Sequence, residues 1–536
     1  MKLSYFISLV ALLAALAHSL DLPESTQNCS TFAQDFAGSV TSQSATLINS
    51  TLILANSTAG NSCTFCKIVA RVTYGENNTL NFQLYLPDAT AWTGRFMAVG
   101  NGGMAGTIDT SNMIKQLNLG FAVAGGDSGH LASLNNNGDG APGVYLPYMH
   151  FPSQLKSWIH NAISTFTPPA RSLVEKYYGH PARYSYYNGC STGGAQGFAL
   201  AEFHPDLFDG IYAGSPGNWY SHLALSFLWN AQKTLNESFI PQVTLDAITA
   251  AVLEECDLLD GVKDGLIENP LKCSFDIDSM ACNAASANVS LCLTELQLKA
   301  AKSFYTGPTT TNGSEIYPGF SLGSESSWLM QEGPLANAFS IPILQNIVFN
   351  NLSYDFRSFD WSPDSIYTID SMVGSFIDAV SPDLSPFKLR GGKFLVTQGW
   401  ADAFNAAIWP IQHLQDIETF FSGDVSDWFN LFMVPGGGHC GPAAAYPQAP
   451  GRYHVEDALI KWVESGQKPK GVLSTDGKGE GVETSRLLCP WPQTATFLGG
   501  EVREAGSYIC ENSDDLSLCR VHYGESIQEQ VMAAPR

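Results

Sequence analysis

The pentapeptide Gly189-Cys190-Ser191-Thr192-Gly193 constrains this chain more than any other feature. It fits G-x-S-x-G, in which small residues let a strand pass into a helix so sharply that the serine hydroxyl stands exposed. The flanks suit that reading: Tyr184 to Asn188 reads as a strand, and Ala195 to Glu202 as a helix. The motif alone also occurs as a plain structural turn, so its partners decide. A hydroxyl needs a base to become a nucleophile at neutral pH, and the base needs an orienting carboxylate.

Where this turn occurs, histidine comes last in chain order. Gly436-Gly437-Gly438-His439-Cys440 follows the apolar run Trp428 to Val434, which places His439 at the carboxyl end of a strand, where open α/β sheets put their sites. His454 is its nearest competitor, but Tyr453 to Val463 reads as a helix. Asp402, in Gly399-Trp400-Ala401-Asp402, comes just after the strand Lys393 to Thr397, whereas the alternative Asp427 precedes a strand and lies at the wrong end of the sheet. The expected set is therefore Ser191, Asp402 and His439. If Ser191 and His439 meet, Cys190 and Cys440 come within the roughly 4.4 to 6.8 Å between Cα atoms that a disulfide spans, although pairing elsewhere stays open. For the oxyanion of an ester intermediate, the backbone N–H of Thr192 is one expected donor. Gly102 or Gly103, in the glycine-rich loop after the strand Arg95 to Val99, supplies the other.

From residue 65 to 215, strands and helices alternate: Arg95 to Val99 and Gly120 to Ala124 are short apolar runs ended by glycine, and Pro152 to Tyr178 is helical with an expected break at Pro168-Pro169. The pattern is α/β. Between about Tyr220 and Lys388 strand alternation fades while Ser, Thr, Asn and Cys accumulate, as expected of an inserted domain. The expected organisation is a leader at 1–19, a core from 20–219 and 389–536, and an insertion at 220–388. No period of internal repetition is visible. The 536 residues then fit one interrupted core rather than a string of ordinary domains.

Hydrophobic residues make up 45% and charged residues 14%, against about 25% charged in an average globular chain, which excludes disorder. Lys plus Arg number 27 and Asp plus Glu 50, a net charge of −23 that repels nucleic acid and anionic membranes. Met1-Lys2 followed by apolar Leu3 to Ala17 and by Ala17-His18-Ser19 has the form of a cleaved secretory leader, and no later stretch is long and apolar enough to span a bilayer. Secretion agrees with acceptor triplets for N-glycosylation at Asn28, Asn49, Asn56, Asn77, Asn236, Asn288, Asn312 and Asn351, and with an even 12 cysteines.

Together the motifs Val99-Gly100-Asn101-Gly102-Gly103, Gly189 to Gly194, Phe208-Asp209-Gly210-Ile211, Gly399 to Asp402 and Val434 to Cys440 resemble those of the fungal tannase and feruloyl esterase family, over about residues 66 to 492. The resemblance implies an α/β-hydrolase core with a large inserted lid domain, a Ser191, Asp402 and His439 triad, and a Cys190–Cys440 bridge. It also implies bridges Cys29–Cys66, Cys256–Cys273, Cys282–Cys292 and Cys489–Cys510, which leaves Cys63 with Cys519. A structural calcium ion is implied in the loop Cys256 to Leu266, held by Asp257, Asp260 and Asp264 and by the carbonyls of Val262 and Leu266; three carboxylates among turn-forming glycines suit a hard cation, though the spacing is not that of an EF-hand. No organic cofactor is implied.

Two departures bear on substrate preference. Ala195 stands where relatives commonly have Arg, and Asp402 is followed by Ala403-Phe404-Asn405 rather than the usual apolar continuation. The expectation is a secreted serine esterase acting on esters of small aromatic, hydroxycinnamic acids, attached to plant cell-wall polysaccharide or tannin. Trp219, Tyr220, Phe304, Tyr305 and Trp328 are candidate pocket walls. The alternatives are a tannase acting on galloyl esters, a lipase or serine carboxypeptidase, and a non-catalytic polysaccharide-binding protein.

Overall fold

The computed structural model describes residues 28–32, 40–50, 60–135, 140–283, 289–476 and 484–512. The expected leader, the triplets at Asn56 and Asn288, and Cys519 lie outside them. Strands form where short apolar runs can be covered on both faces. β1 (Val40–Ile48), β2 (Phe65–Tyr74) and β3 (Asn78–Pro87) pair antiparallel; β4 (Arg95–Val99), β5 (Ala122–Gly126), β6 (Tyr184–Cys190), β7 (Gly210–Gly214), β8 (Lys393–Gly399) and β9 (Phe429–Val434) pair parallel. Together they make one nine-stranded sheet in the order β1-β2-β3-β5-β4-β6-β7-β8-β9.

The two-residue period of a strand divides the core. Phe96, Ala98, Phe394 and Val396 point to one face, whereas Met97, Val99 and Leu395 point to the other. The second face is covered by α1 (Thr110–Leu117) and α9 (Val455–Ser465), through Met113, Leu117, Leu459 and Trp462. The first is covered by α2 (Pro152–Ile159), α3 (Ala162–Tyr178), α4 (Thr192–Phe203) and α8 (Trp409–Phe421). This arrangement puts the carboxyl ends of β6, β8 and β9 along one edge of the sheet, with β7 between β6 and β8.

Two local expectations are corrected. The strand expected at Gly120 to Ala124 starts two residues later, because the amides of Gly120 and Phe121 close the last turn of α1 on the carbonyls of Leu117 and Gln116. The break expected at Pro168-Pro169 falls instead at His160-Asn161, and both prolines lie inside α3. An interior proline costs about 3 kcal/mol. Here Ile163, Phe166, Leu173, Val174 and Tyr177 are buried on the same helix, each worth ~1.5–3 kcal/mol, which outweighs that cost.

Residues 215–392 run between β7 and β8 and contribute no strand to the nine-stranded sheet among the described residues. This insertion contains α5 (Tyr220–Lys233), α6 (Gln242–Cys256) and α7 (Glu295–Thr306) and has an apolar centre of its own around Ile248, Phe304 and Trp328. α5 reaches back into the main core through Tyr220, Ala224 and Leu228. The structure joins Cys29 to Cys66, Cys190 to Cys440, Cys256 to Cys273, Cys282 to Cys292 and Cys489 to Cys510, the pairs that the resemblance implies. Cys63 has no disulfide partner among the described residues. The six described acceptor asparagines, Asn28, Asn49, Asn77, Asn236, Asn312 and Asn351, are all exposed. No described helix is long and apolar enough to cross a membrane.

Candidate active site

β6 ends and α4 begins within one residue, and that residue is Ser191, at φ 64° and ψ −122°. A left-handed backbone costs a non-glycine residue about 1–3 kcal/mol and persists only where its surroundings fix it. The Ser191 amide donates to the Gly214 carbonyl (2.9 Å), and its carbonyl accepts from Ala195 (3.1 Å) and Gly217 (3.3 Å). Glycine at 189 is required by closeness, since a Cβ there would run into the Tyr187 hydroxyl and the Gly193 carbonyl.

The loops after β8 and β9 press together in the same way: a Cβ on Gly399 would overlap the Gly437 carbonyl, and the Ala401 amide donates to that carbonyl at 2.8 Å. The approach brings Asp402 under His439, with Nδ1 3.0 Å from both carboxylate oxygens, and sets Nε2 2.8 Å from Ser191 Oγ. Asp402 is fully buried and also accepts from Gln398 Nε2 (3.0 Å) and the amides of Phe404 (2.8 Å) and Asn405 (3.1 Å). Burial alone raises its carboxyl, but the charge and hydrogen bond of His439, with the two amides, outweigh burial and hold it below the ordinary aspartate value. An ionised carboxylate facing Nδ1 keeps the ring proton there, which leaves Nε2 free to accept the serine proton. Phe404 stacks on the imidazole at 4.2 Å between centroids. The Cys190–Cys440 bridge, with Cα atoms 5.9 Å apart, ties the serine turn to the histidine loop.

The competitors stand elsewhere. His454 Nε2 meets Thr475 Oγ1 (2.9 Å), and the Asp427 carbonyl accepts from Lys393 Nζ (2.9 Å) at the start of β8. A second serine–histidine contact, Ser164 Oγ to His204 Nε2 at 3.1 Å, is no dyad: the same nitrogen faces the His160 carbonyl and Asn161 Oδ1, both 3.1 Å away, and so carries a proton. Beside Ser191, the loop after β4 comes within reach through the Thr192 hydroxyl, which donates to the Gly103 carbonyl (2.8 Å). A Cβ on Gly102 or Gly103 would meet nothing within 4 Å, so both glycines border open space.

The family model described as tannase and feruloyl esterase matches residues 66–511. The chain belongs to the tannase and feruloyl esterase family. It is therefore a carboxylic ester hydrolase. A protein of Aspergillus oryzae described as "Probable feruloyl esterase B-1" is 29% identical over 84% of this chain and 83% of its own length, and an uncharacterised esterase of Xanthomonas campestris is 30% identical over 84% of each. The crystal structure of feruloyl esterase B from Aspergillus oryzae superposes with a TM-score of 0.80 at 26% identity, covering 90% of this chain and 99% of that one. Tannin acyl hydrolase from Aspergillus niger shares the fold, with a TM-score of 0.72 at 18% identity over 94% and 96% of the two chains.

Of the aromatics expected to wall a pocket in this tannase and feruloyl esterase chain, Phe304, Tyr305 and Trp328 do not. They pack on one another inside the insertion's own centre, with Tyr305 donating to Glu325 (2.7 Å) and Trp328 Nε1 to Ser324 Oγ (3.0 Å). Tyr220 does approach the site, its hydroxyl 3.4 Å from Thr192 Oγ1, and partly exposed Trp219 joins the apolar cluster containing Leu335, Phe339 and Phe404. Three residues carry roles that the sequence does not signal. Gln331 of the insertion donates to the carbonyls of Ala403 (2.8 Å) and Phe404 (3.2 Å), gripping the turn that orients Asp402; Phe404 covers the imidazole; Trp158 Nε1 donates to the Gly103 carbonyl (3.3 Å).

In the Cys256–Leu266 loop, Asp257 accepts from the amides of Asp264 (3.2 Å) and Gly265 (2.9 Å), Asp260 from Val262 (3.0 Å), and Asp264 from Leu266 (3.0 Å). Arg486 Nη1 pairs with Asp264 (2.6 Å) and Nη2 with Glu268 (2.8 Å). No three His, Cys, Asp or Glu side chains among the described residues are grouped closely enough to hold a metal as they stand. The donors are nevertheless hard oxygens, and Asp260 Oδ2 is buried without a hydrogen-bond partner, with Arg486 Nη2 3.9 Å away.

Proposed function

We propose that this chain is a secreted serine esterase of the feruloyl type, hydrolysing esters of hydroxycinnamic acids attached to plant cell-wall polysaccharide. The reading rests on the hydrogen-bonded chain Ser191 to His439 to Asp402 at the edge of an aromatic arc. Ser191 Oγ attacks the ester carbonyl while His439 Nε2 takes its proton; the oxyanion is held by the N–H groups of Thr192 and Gly103; His439 returns the proton to the leaving alcohol. Water then adds to the acyl-enzyme by the same route, releasing the acid and regenerating Ser191. The arc runs from Phe404 on the imidazole, through Phe339 and Tyr220, to Trp158 behind Gly103. Its apolar side suits a single aromatic ring with a vinyl spacer better than a trihydroxylated galloyl ring, and two Aspergillus oryzae relatives are described as feruloyl esterases. The insertion acts as the lid over this arc.

Secretion is supported by the leader-like start, the disulfides and the exposed acceptor asparagines. Calcium in the Cys256–Leu266 loop is proposed as a structural ion. Asp257, Asp260 and Asp264 would hold it with the carbonyls of Val262 and Leu266, and it would supply charge compensation to the lid, with no part in the chemistry.

Methyl ferulate and methyl gallate, assayed with wild type and Ser191→Ala, test the function. Turnover of ferulate well above gallate is expected, falling at least about 10⁴-fold in the variant. Turnover of gallate alone makes the protein a tannase; turnover confined to long-chain esters or peptides makes it a lipase or carboxypeptidase. Failure of folded wild type both to turn over any ester and to accept an active-site phosphonate on Ser191 leaves a binding protein.

A further inference from the structure

We infer that the Thr192 side chain is a positioning residue, a clamp that aims the Gly103 N–H at the oxyanion; the inference rests on the serine esterase reading above. The loop between β4 and α1 is not held by regular structure. Gly103, Ala105 and Gly106 all have positive φ, at 59°, 57° and 82°. One side of the loop is anchored by Asn101, whose Nδ2 donates to the carbonyls of Thr107 and Gly126 (both 3.0 Å) and whose Oδ1 accepts from Ser128 Oγ (2.9 Å) and Gln196 Nε2 (2.8 Å). That anchor stops two residues short of the donor.

The peptides on either side of Gly103 are fixed separately. The Gly102 carbonyl closes a turn by accepting from the Ala105 amide (3.0 Å), and across a trans peptide the Gly103 N–H must point the opposite way, out of the turn. This leaves the Gly103 N–H free to act as the loop's donor. The Gly103 carbonyl is held by Thr192 Oγ1 (2.8 Å) and Trp158 Nε1 (3.3 Å). Thr192 is 1% exposed, so its hydroxyl has no water to turn to. It is also the residue whose own N–H is the other oxyanion donor. One residue thus sets the distance between the two donors: its backbone supplies the first, and its side chain holds the peptide next to the second. Since the oxyanion exists only in the tetrahedral states before and after the acyl-enzyme and not in bound substrate, loosening the clamp lowers kcat and leaves substrate binding in place.

Thr192→Val removes the hydroxyl at nearly constant volume, Thr192→Ser keeps it, and Trp158→Phe removes the second donor together with part of a buried ring. With methyl ferulate, Thr192→Val is expected to lose about tenfold or more in kcat with KM within about twofold, and to be phosphonylated at Ser191 correspondingly more slowly. Thr192→Ser stays within about threefold of wild type, and Trp158→Phe loses a few-fold in kcat. A folded Thr192→Val with wild-type kcat, a loss confined to KM, or a Thr192→Ser as slow as the valine variant each overturns the clamp. If the valine variant does not fold, unchanged kcat in Trp158→Phe does so. A wild type that neither turns over the ester nor takes the phosphonate defeats the serine esterase reading and the clamp with it, whereas an active wild type beside an unimpaired Thr192→Val defeats the clamp alone.

Discussion

Asp402 is the residue whose environment says most about its task. It is 1% exposed, yet its carboxyl is held below the ordinary aspartate value, so it keeps its charge throughout the mildly acid range. Replacing it by Asn would place an N–H or an uncharged oxygen against Nδ1. With Nδ2 facing the ring, Nδ1 becomes the acceptor, the proton moves to Nε2, and Ser191 loses its base. Asp402→Asn is therefore expected to lower kcat about 10⁴-fold while KM changes little, as steady-state kinetics would show; a loss under about tenfold would remove Asp402 from the mechanism. The positions of Ser191, Asp402 and His439 were legible because each stands on a glycine-marked turn after an apolar strand, a local signal. Trp158, Gln331 and Phe404 carry no such signal: Trp158 meets Gly103, and Gln331 meets Ala403, across chain separations that only the folded packing closes. Phe304, Tyr305 and Trp328 show the converse. Composition marks them as apolar aromatics, but which cluster they join is decided by α7 and its neighbours.

Among elements, strands were read more accurately than helix boundaries. A buried parallel strand is apolar on both sides and announces itself in a few residues. The end of α1 and the break before α3 depend on which amides find carbonyls, as with Gly120 on Leu117, and burial on α3 overrides two prolines. The Cys256–Leu266 loop poses a sharper question, because Asp260, Asp264 and Glu268 gather around one cation, Arg486, and Asp260 Oδ2 lacks a hydrogen bond. If calcium completes the charge balance, its removal destabilises the fold by mass action. Chelation is expected to lower the melting temperature by about 3 °C relative to a calcium concentration a hundredfold above Kd, with calcium restoring it and magnesium failing to. Asp260→Asn should abolish the difference. A melting curve indifferent to chelator in wild type would rule the ion out.

At the scale of the molecule, the net charge of −23 meets a set of buried carboxyls that resist ionisation. Burial pushes Asp127 and Asp378 up to about 6, Glu202 up to about 7 and Glu332 up to about 8. One of them holds the insertion to the core, Glu202 on α4 accepting from the Ser381 amide (3.1 Å), and another ties the insertion to itself, Asp378 accepting from the Ser221 amide (2.9 Å). An acid whose folded pKa lies above its unfolded one stabilises the fold fully below the unfolded value, about 4, and loses that contribution as pH rises through the folded values. Asp402 has the opposite sign, but its contribution disappears only below the ordinary aspartate range. Between pH 5 and pH 8 these acids lower stability as pH rises; His130, His160 and His413, which burial holds down to about 4, act the other way through their unfolded value near 6.5. That gain is complete by about pH 7, whereas Glu202 and Glu332 go on losing stability toward pH 8, and self-repulsion among the remaining carboxylates adds to the loss. With calcium held constant, the melting temperature is expected to fall by a few degrees from pH 5 to pH 8, and Glu202→Gln should flatten the slope by removing one titrating group. A slope that Glu202→Gln leaves unchanged would mean that Glu202 is already ionised in the folded protein across this range.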